Sequence, residues 1–278
     1  MRVANNNMKP QSGSSPSGRL GGAVVIKIGG NIIDDSIALD NFLEKFAAIK
    51  SPKILIQGGG KLATELATTM QIPQQMIEGR RITGEATLKL VTMVYAGFIN
   101  KNIVAKLQAK SCNAFGICGA DGNIILAKKR EVKDIDYGFV GDVISVNDNF
   151  INLLLQNNST PIIAPVTHDG KGQLLNTNAD TIANEIAKAI SAHYQVHLIY
   201  CFDKKGVLEN ISDENSVIKL ITKENIEGLK NKKIINEGMM PKIDNALQAV
   251  ASSVYKVTLG HALDLEKIIK GEAGTTIN

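Results

Sequence analysis

Apolar residues along this chain fall into short blocks that switch between two periods. Short, mainly apolar runs rich in Val and Ile predict strands buried on both faces, at residues 24–28, 53–57, 114–117, 161–165, 196–200 and 254–259. Smaller strands are expected at 124–128 and 137–140. Between them, apolar residues recur at helical spacing. In the first such stretch, Ile37, Leu39, Phe42, Leu43, Phe46 and Ala47 share one predicted face of a helix that starts near Ser36. Further helices are expected at 61–70, at 85–110 with Thr83 as N-cap, at 149–156, from Asn178 to about 192, at 222–231 capped by Thr222, from 238–242 to about 252, and at 264–270. Strands alternating with helices predict an α/β domain with a mostly parallel sheet covered on both faces. Ligands of such sheets bind beyond the carboxyl ends of the strands, where Lys27–Gly30, Gly58–Gly60 and Asp203–Gly206 fall.

Composition narrows the function classes. The chain has 278 residues and is 44% hydrophobic, with no apolar run long enough to span a bilayer. A net charge of +4, with lysines scattered among acidic neighbours, gives neither a nucleic-acid stripe nor a membrane patch. Trp is absent, which weakens any base-stacking role. Cys112, Cys118 and Cys201 are odd in number and form no C-x-x-C, so they suggest neither a disulfide framework nor a zinc site; a reducing cytoplasm fits them best. His168, His193, His197 and His261 are too dispersed to predict a metal site. Residues 1–22, rich in Asn, Ser, Gly and Pro, read as a disordered tail without the apolar core of a signal peptide.

The candidate chemistry centres on lysines and glycines. Lys27 sits inside an apolar strand, where it either snorkels to water or serves a ligand. Gly29 and Gly30 follow it, and Gly58-Gly59-Gly60 follows the second strand, so two turns offer backbone N–H groups to an anion. The string around Gly60-Lys61 is not a P-loop, because Leu55 and Leu62 stand where Gly and Ser or Thr are required. Asn178 is a good N-cap and Asp180 suits the first helical turn, so local structure alone explains both; it does not explain Asn176. Lys242 opposes the dipole of its own helix unless an anion sits beside it. Two anion-holding turns, two unexplained lysines and one acidic helix start fit phosphoryl transfer, which asks for positive charge and donors rather than covalent work. No Ser-His-Asp or Cys-His set is readable, and none is needed for a carboxylate acceptor, which is ionised at neutral pH.

The ordered set IKIGGN at 26–31, QGGGK at 57–61, GRRITG at 79–84, GFVGDV at 138–143, GQLLNTNADT at 172–181, DKKGVL at 203–208 and GMMPKI at 238–243 closely resembles the acetylglutamate kinases of the amino-acid kinase family. The resemblance implies a three-layer αβα sandwich with a mostly parallel central sheet, an N-terminal lobe at 23–190 for the acyl amino acid and dimerisation, and a C-terminal lobe at 191–278 for ATP. It implies ATP-dependent phosphorylation of the γ-carboxylate of N-acetyl-L-glutamate in arginine synthesis. By matching positions, Lys27 and Lys242 flank the transferring phosphoryl group and Asp180 holds both lysines. Gly59 and Gly60 serve the reacting end of the substrate, and Arg81 and Asn176 hold its α-carboxylate and neighbouring polar atoms. Gly29 and Gly30, the run Asp203, Lys204, Lys205, Gly206, Val207 and Leu208, and Ile234, Ile235 and Asn236 lie along the nucleotide. Mg2+ is expected on the ATP phosphates, without a protein metal cage.

The chain departs from that pattern in places. Gln57 stands where many relatives have His, and Phe202-Asp203 followed by Lys204-Lys205 alters the nucleotide loop. Residues 1–22 lack the apolar helix of arginine-inhibited hexameric relatives, so a homodimer without that feedback is expected. Competing readings are the same reaction on N-succinyl-L-glutamate, a kinase of the same fold acting on aspartate, carbamate or UMP, and a non-catalytic sensor of ATP or an amino acid. Neither glycine string is the G-x-G-x-x-G of a dinucleotide-binding dehydrogenase.

Overall fold

In a computed structural model, residues 19–77, 80–210, 212–231 and 240–278 are described. The chain opens with strand β1 (Gly22–Ile28), helices α1 (Gly30–Asp34) and α2 (Ser36–Ala48), β2 (Lys53–Gln57), α3 (Leu62–Thr69) and the hairpin β3 (Met76–Ile77) and β4 (Arg80–Arg81). A long helix follows in three parts: α4 (Glu85–Val91), a π-helical segment Thr92–Ile99, and α5 (Asn100–Gln108). Next come β5 (Ala114–Cys118), β6 (Ile125–Lys129), β7 (Gly141–Val146), α6 (Asp148–Gln156), β8 (Thr160–Ala164), β9 (Val166–His168), β10 (Leu174–Asn176) and α7 (Ala179–Ile190). The remainder is β11 (Gln195–Phe202), β12 (Leu220–Ile221), α8 (Ile226–Asn231), α9 (Met240–Ala251), β13 (Lys256–His261), α10 (Leu265–Lys270) and β14 (Thr275–Ile277).

Eight strands form one sheet in the order β12-β14-β13-β11-β1-β2-β8-β5, parallel throughout except for the β13–β14 pair. Alternate residues of β1 divide between two cores, as the twofold period of a strand requires. Val24, Ile26 and Ile28 pack with α2, α3, the α4–α5 helix and α10, whereas Ala23 and Val25 pack with α6, α7 and α9. The result is a sheet with helices on both faces. Lys27 continues the series of Ala23 and Val25, so its parity sends it to the α7 and α9 side. A smaller four-stranded sheet, β10-β9-β6-β7, carries β10 and its successor α7 back toward the carboxyl edge of the large one.

Most predicted elements stand where the periods put them; the exceptions have local causes. A short helix α1 begins at Gly30, directly after β1, and Asp35 then caps α2 by accepting from Ile37 N and Ala38 N at 2.9 and 3.0 Å. Ile37 lies on the solvent side of α2 at 73% exposure, while Leu39, Phe42, Leu43 and Phe46 are buried. Thr83 does not cap the long helix. The N-cap is Gly84, and Thr83 Oγ1 donates instead to Arg81 O at 3.0 Å. Residues 137–140 form no strand of their own: Gly138 and Val140 make single bridges to Thr83 and Asn176, and the strand starts at Gly141. The helix expected from Thr222 starts at Ile226, because the Asn225 side chain accepts from Thr222 N and turns the intervening residues.

Gln57, the departure at the second glycine turn, is fully buried and structural. Its Nε2 donates to Tyr95 O in the π-helical segment at 2.8 Å, and its Oε1 accepts from Asn100 Nδ2 at 3.1 Å. Gln57→Leu removes both of these bonds, while Asn100 Nδ2 keeps Ile162 O and Tyr95 O keeps Asn100 N, and is expected to lower unfolding free energy by about 1–2 kcal/mol. Urea titration checks this as a lower midpoint at constant m; an unmoved midpoint means the network carries no stability.

Candidate active site

β1, β2 and β11 run parallel in register, so Ile28, Gln57 and Cys201 lie side by side at the carboxyl edge. The segments that follow these strands, Gly29-Gly30, Gly58-Gly59-Gly60 and Asp203–Gly206, therefore open onto one edge. A cavity of about 580 Å³ lies there, lined by residues from Lys27 to Asp180 in sequence. Five cationic side chains, Lys27, Lys61, Arg80, Arg81 and Arg130, line it against two carboxylates, Asp34 and Asp180. That balance favours an anionic ligand.

The two glycine turns interlock. A Cβ on Gly30 would stand 2.8 Å from the Gly60 Cα, so neither backbone can approach the other with a side chain between them. Gly60 is also left-handed, at φ +63°, which a side chain rarely adopts. A Cβ on Gly59 would strike the Tyr95 ring at 2.3 Å. Asp34 braces this turn by accepting from Lys61 N with both oxygens at 2.9 Å. Asp34 thus occupies the first N–H beyond the glycines, and the N–H groups of Gly59 and Gly60 have no acceptor among the described residues.

Asn178 Oδ1 caps α7, accepting from Asp180 N and Thr181 N at 2.8 and 3.1 Å, and so fixes where Asp180 stands. Lys242 Nζ, from the first turn of α9, donates to Asp180 Oδ2 at 2.8 Å; Lys27 Nζ, from β1, forms an ion pair with Oδ1 at 2.8 Å. Burial by itself would raise the Asp180 carboxyl, but Lys27 and Lys242 outweigh it and hold the group down at about 2. The unfavourable dipole position of Lys242 is therefore answered by a carboxylate from another helix. Three residues distant in sequence form one cluster of net charge +1.

Arg81 is the better held of the two arginines of β4. Its guanidinium donates to Gln74 Oε1, and to Thr64 Oγ1 at 2.9 Å, both neutral acceptors that leave its charge uncompensated. Arg80 is exposed. Asn176 ends β10 at the cavity wall, and its Nδ2 donates to Thr83 Oγ1 at 3.0 Å. The nucleotide run divides. Asp203 is exposed, Lys205 lies 3.8 Å from Glu214, and Gly206, Val207 and Leu208 are buried. Val207 N already donates to Thr275 Oγ1 at 2.8 Å. Ile234, Ile235 and Asn236 lie outside the described residues. Among those residues no His, Cys, Asp and Glu side chains converge as a metal site.

Among the wall residues without an assigned role in the sequence reading are Asp34, Tyr95 and Arg130. In the sequence Asp34 lies just before the first expected helix and Tyr95 within the long one expected at 85–110, where each reads as ordinary. The tyrosine hydroxyl is raised by burial, which keeps it neutral under the glycine turn.

The model of the amino acid kinase family matches residues 22–261. The chain is 52% identical over 246 residues to the acetylglutamate kinase of Cytophaga hutchinsonii, covering 88% of this chain and 93% of that one. It is 49% identical over 253 residues to the acetylglutamate kinase of Phocaeicola vulgatus, covering 91% and 97%. Among solved structures it resembles smu.665 from Streptococcus mutans UA159, with a TM-score of 0.71, 27% identity and coverage of 92% and 98%.

Asp180 keeps its charge down to about 2, below the ordinary 3.8. Its ion pairs therefore add stability that is complete above the unfolded value and is lost as pH falls through the folded one, about 2 kcal/mol in all. Urea unfolding of the wild type and Asp180→Asn, from about pH 2 to about pH 5, should show a gap that widens with pH and then levels. Parallel curves would rule the ion pairs out as a source of stability.

Proposed function

The chain belongs to the amino acid kinase family, and from that premise we propose that it is an ATP-dependent kinase of N-acetyl-L-glutamate, acting in arginine biosynthesis. It transfers the γ-phosphoryl group of ATP to the γ-carboxylate, forming a carboxyl O–P bond as the bridging P–O bond to ADP breaks. The observation that carries this reading is the cluster Lys27–Asp180–Lys242 at the glycine turns, in a chain about half identical to named acetylglutamate kinases.

The acceptor carboxylate is already ionised, so the protein supplies no general base. Lys27 and Lys242 flank the moving phosphoryl group and stabilise the charge spread over its oxygens. Asp180 holds both ammonium groups in position and leaves one positive charge over. The N–H groups of Gly59 and Gly60 receive the γ-carboxylate. Arg81, held by Gln74 and Thr64, grips the α-carboxylate in bidentate fashion, with Asn176 beside it. Every side chain of the cavity comes from residues 27–180, which supports a division into a substrate lobe at 23–190 and a nucleotide lobe at 191–278.

Gly29, Gly30 and the segment Asp203–Leu208 border the nucleotide, with the side chains of Val207 and Leu208 in the core. Mg2+ rides on the ATP phosphates, in keeping with a donor set that provides cations and N–H groups rather than clustered carboxylates. A second copy of the chain covers Met93, Phe98 and Phe115, large apolar side chains left exposed, giving a homodimer. No helix among the described residues is long and apolar enough to cross a membrane. The free thiols Cys112, Cys118 and Cys201 suit the reducing cytoplasm.

ADP release with ATP, Mg2+ and N-acetyl-L-glutamate tests the reading directly. Lys27→Ala and Lys242→Ala should each cut kcat by roughly 10²–10³-fold while shifting KM far less, because each lysine acts on the transition state. Undiminished kcat in either variant would reject its role.

A further inference from the structure

We propose that Arg130, clamped by Asp142, is a specificity residue that donates a hydrogen bond to an oxygen of the N-acyl group; this deepens the kinase reading and rests on it. Arg130 stands just past β6. Its backbone N donates to Val140 O at 2.7 Å, and Val140 in turn bridges Asn176. All three residues line the cavity. Arg130 Nε and Nη2 both donate to Asp142 Oδ1, at 3.0 and 2.5 Å, and the guanidinium lies 5.5 Å from the Tyr137 ring centroid. The side chain is thus fixed by a backbone bond, a two-point ion pair and an aromatic face. Such fixing is what a recognition arginine needs and what a surface arginine lacks.

The remaining nitrogen carries the argument. Arg130 Nη1 is buried and has no acceptor among the described residues. A buried N–H without a partner is costly, and a site that leaves one open gains when a ligand completes it. The other ends of the substrate are provided for elsewhere: the γ-carboxylate at the glycine turns, the α-carboxylate at Arg81. The acyl group is left to face the wall made by Val140, Asn176 and Arg130. Asp142 compensates the arginine's charge, so its free donor suits an uncharged carbonyl oxygen and a carboxylate alike. A second cavity, about 450 Å³, adjoins the first and shares Arg80 and Arg130 with it. Arg130 therefore stands where a longer acyl chain would continue.

The test measures kcat and KM for N-acetyl-L-glutamate and N-succinyl-L-glutamate in the wild type, Arg130→Met and Asp142→Asn, with thermal melting of each. Arg130→Met should raise the acyl-substrate KM by roughly 10- to 100-fold, with the KM for ATP unmoved and kcat reduced much less. An equal rise for both substrates assigns the bond to the amide carbonyl they share; a larger rise for the succinyl compound assigns it to the distal carboxylate. Asp142→Asn, which keeps the shape of the clamp and removes its charge, should move the same KM in the same direction by less. It also decides the matter if Arg130→Met does not fold. Unmoved KM for both acyl substrates, or equal losses in kcat and in the KM for ATP, would overturn the proposal. A wild type that turns over neither acyl substrate would instead overturn the kinase reading beneath it.

Discussion

One carboxylate shared by two lysines ties together the elements at the carboxyl edge of the large sheet. Asp180 is largely buried, its side chain 14% exposed, a position that costs an ionised group dearly unless it is paired. Lys27 and Lys242, both 2.8 Å away, supply the pairing and keep it ionised. The lysines repel one another, so each depends on the same carboxylate to stay in place. The cluster remains positive overall. That leftover charge is what the proposed reading assigns to the transferring phosphoryl group. Its members arrive on three different elements, and the twofold parity of β1, the Asn178 cap of α7 and the start of α9 all serve to bring them together.

Close backbone approach is the second constraint. The turns after β1 and β2 touch at Gly30 and Gly60, with Tyr95 against Gly59 and Asp34 against Gly60. A side chain at any of these glycines would either separate the turns or displace the tyrosine. Tyr95 is held from behind, since Gln57 bonds its carbonyl within the π-helical segment, a type of winding that recurs at functional sites. Stability and site geometry are coupled here: the buried amide that anchors the helix also backs the wall of the cavity.

Electrostatics divides the cavity into ends. On the proposed reading, Lys27 and the glycine N–H groups form the reacting end, Arg81 on neutral acceptors the carboxylate clamp, and Arg130, charge-balanced by Asp142, a third position. A ligand with two carboxylates and a neutral amide matches that sequence of environments. Specificity in such a site comes from donors left without acceptors, because an analogue lacking the matching oxygen leaves them buried and unpaired.

The elements were legible in the sequence wherever their signal is local. The run 53–57, apolar at its centre, marks β2 to the residue, and the Asn178 cap marks the start of α7. Thr83, residues 137–140 and Thr222 were misread because tertiary or neighbouring groups claimed them: Asn176 and Arg81 for Thr83, single bridges for the strand, Asn225 for Thr222. Motif order carried the family resemblance and the residues Lys27, Asp180 and Lys242. By itself, however, Asp180 was fully explained as a helix-start acid, and Arg80 and Arg81 were indistinguishable. Asp34, Tyr95 and Arg130 carried no signal at all, since an acid, a tyrosine and an arginine in ordinary elements are common. Sequence by itself determined which residue types stand at the ends of which strands, because period, caps and glycine turns act over a few residues. Only the tertiary structure decided which of them meet, because Lys27, Asp180 and Lys242 are joined by charge across crossovers of the chain, and no local pattern records a distance through space.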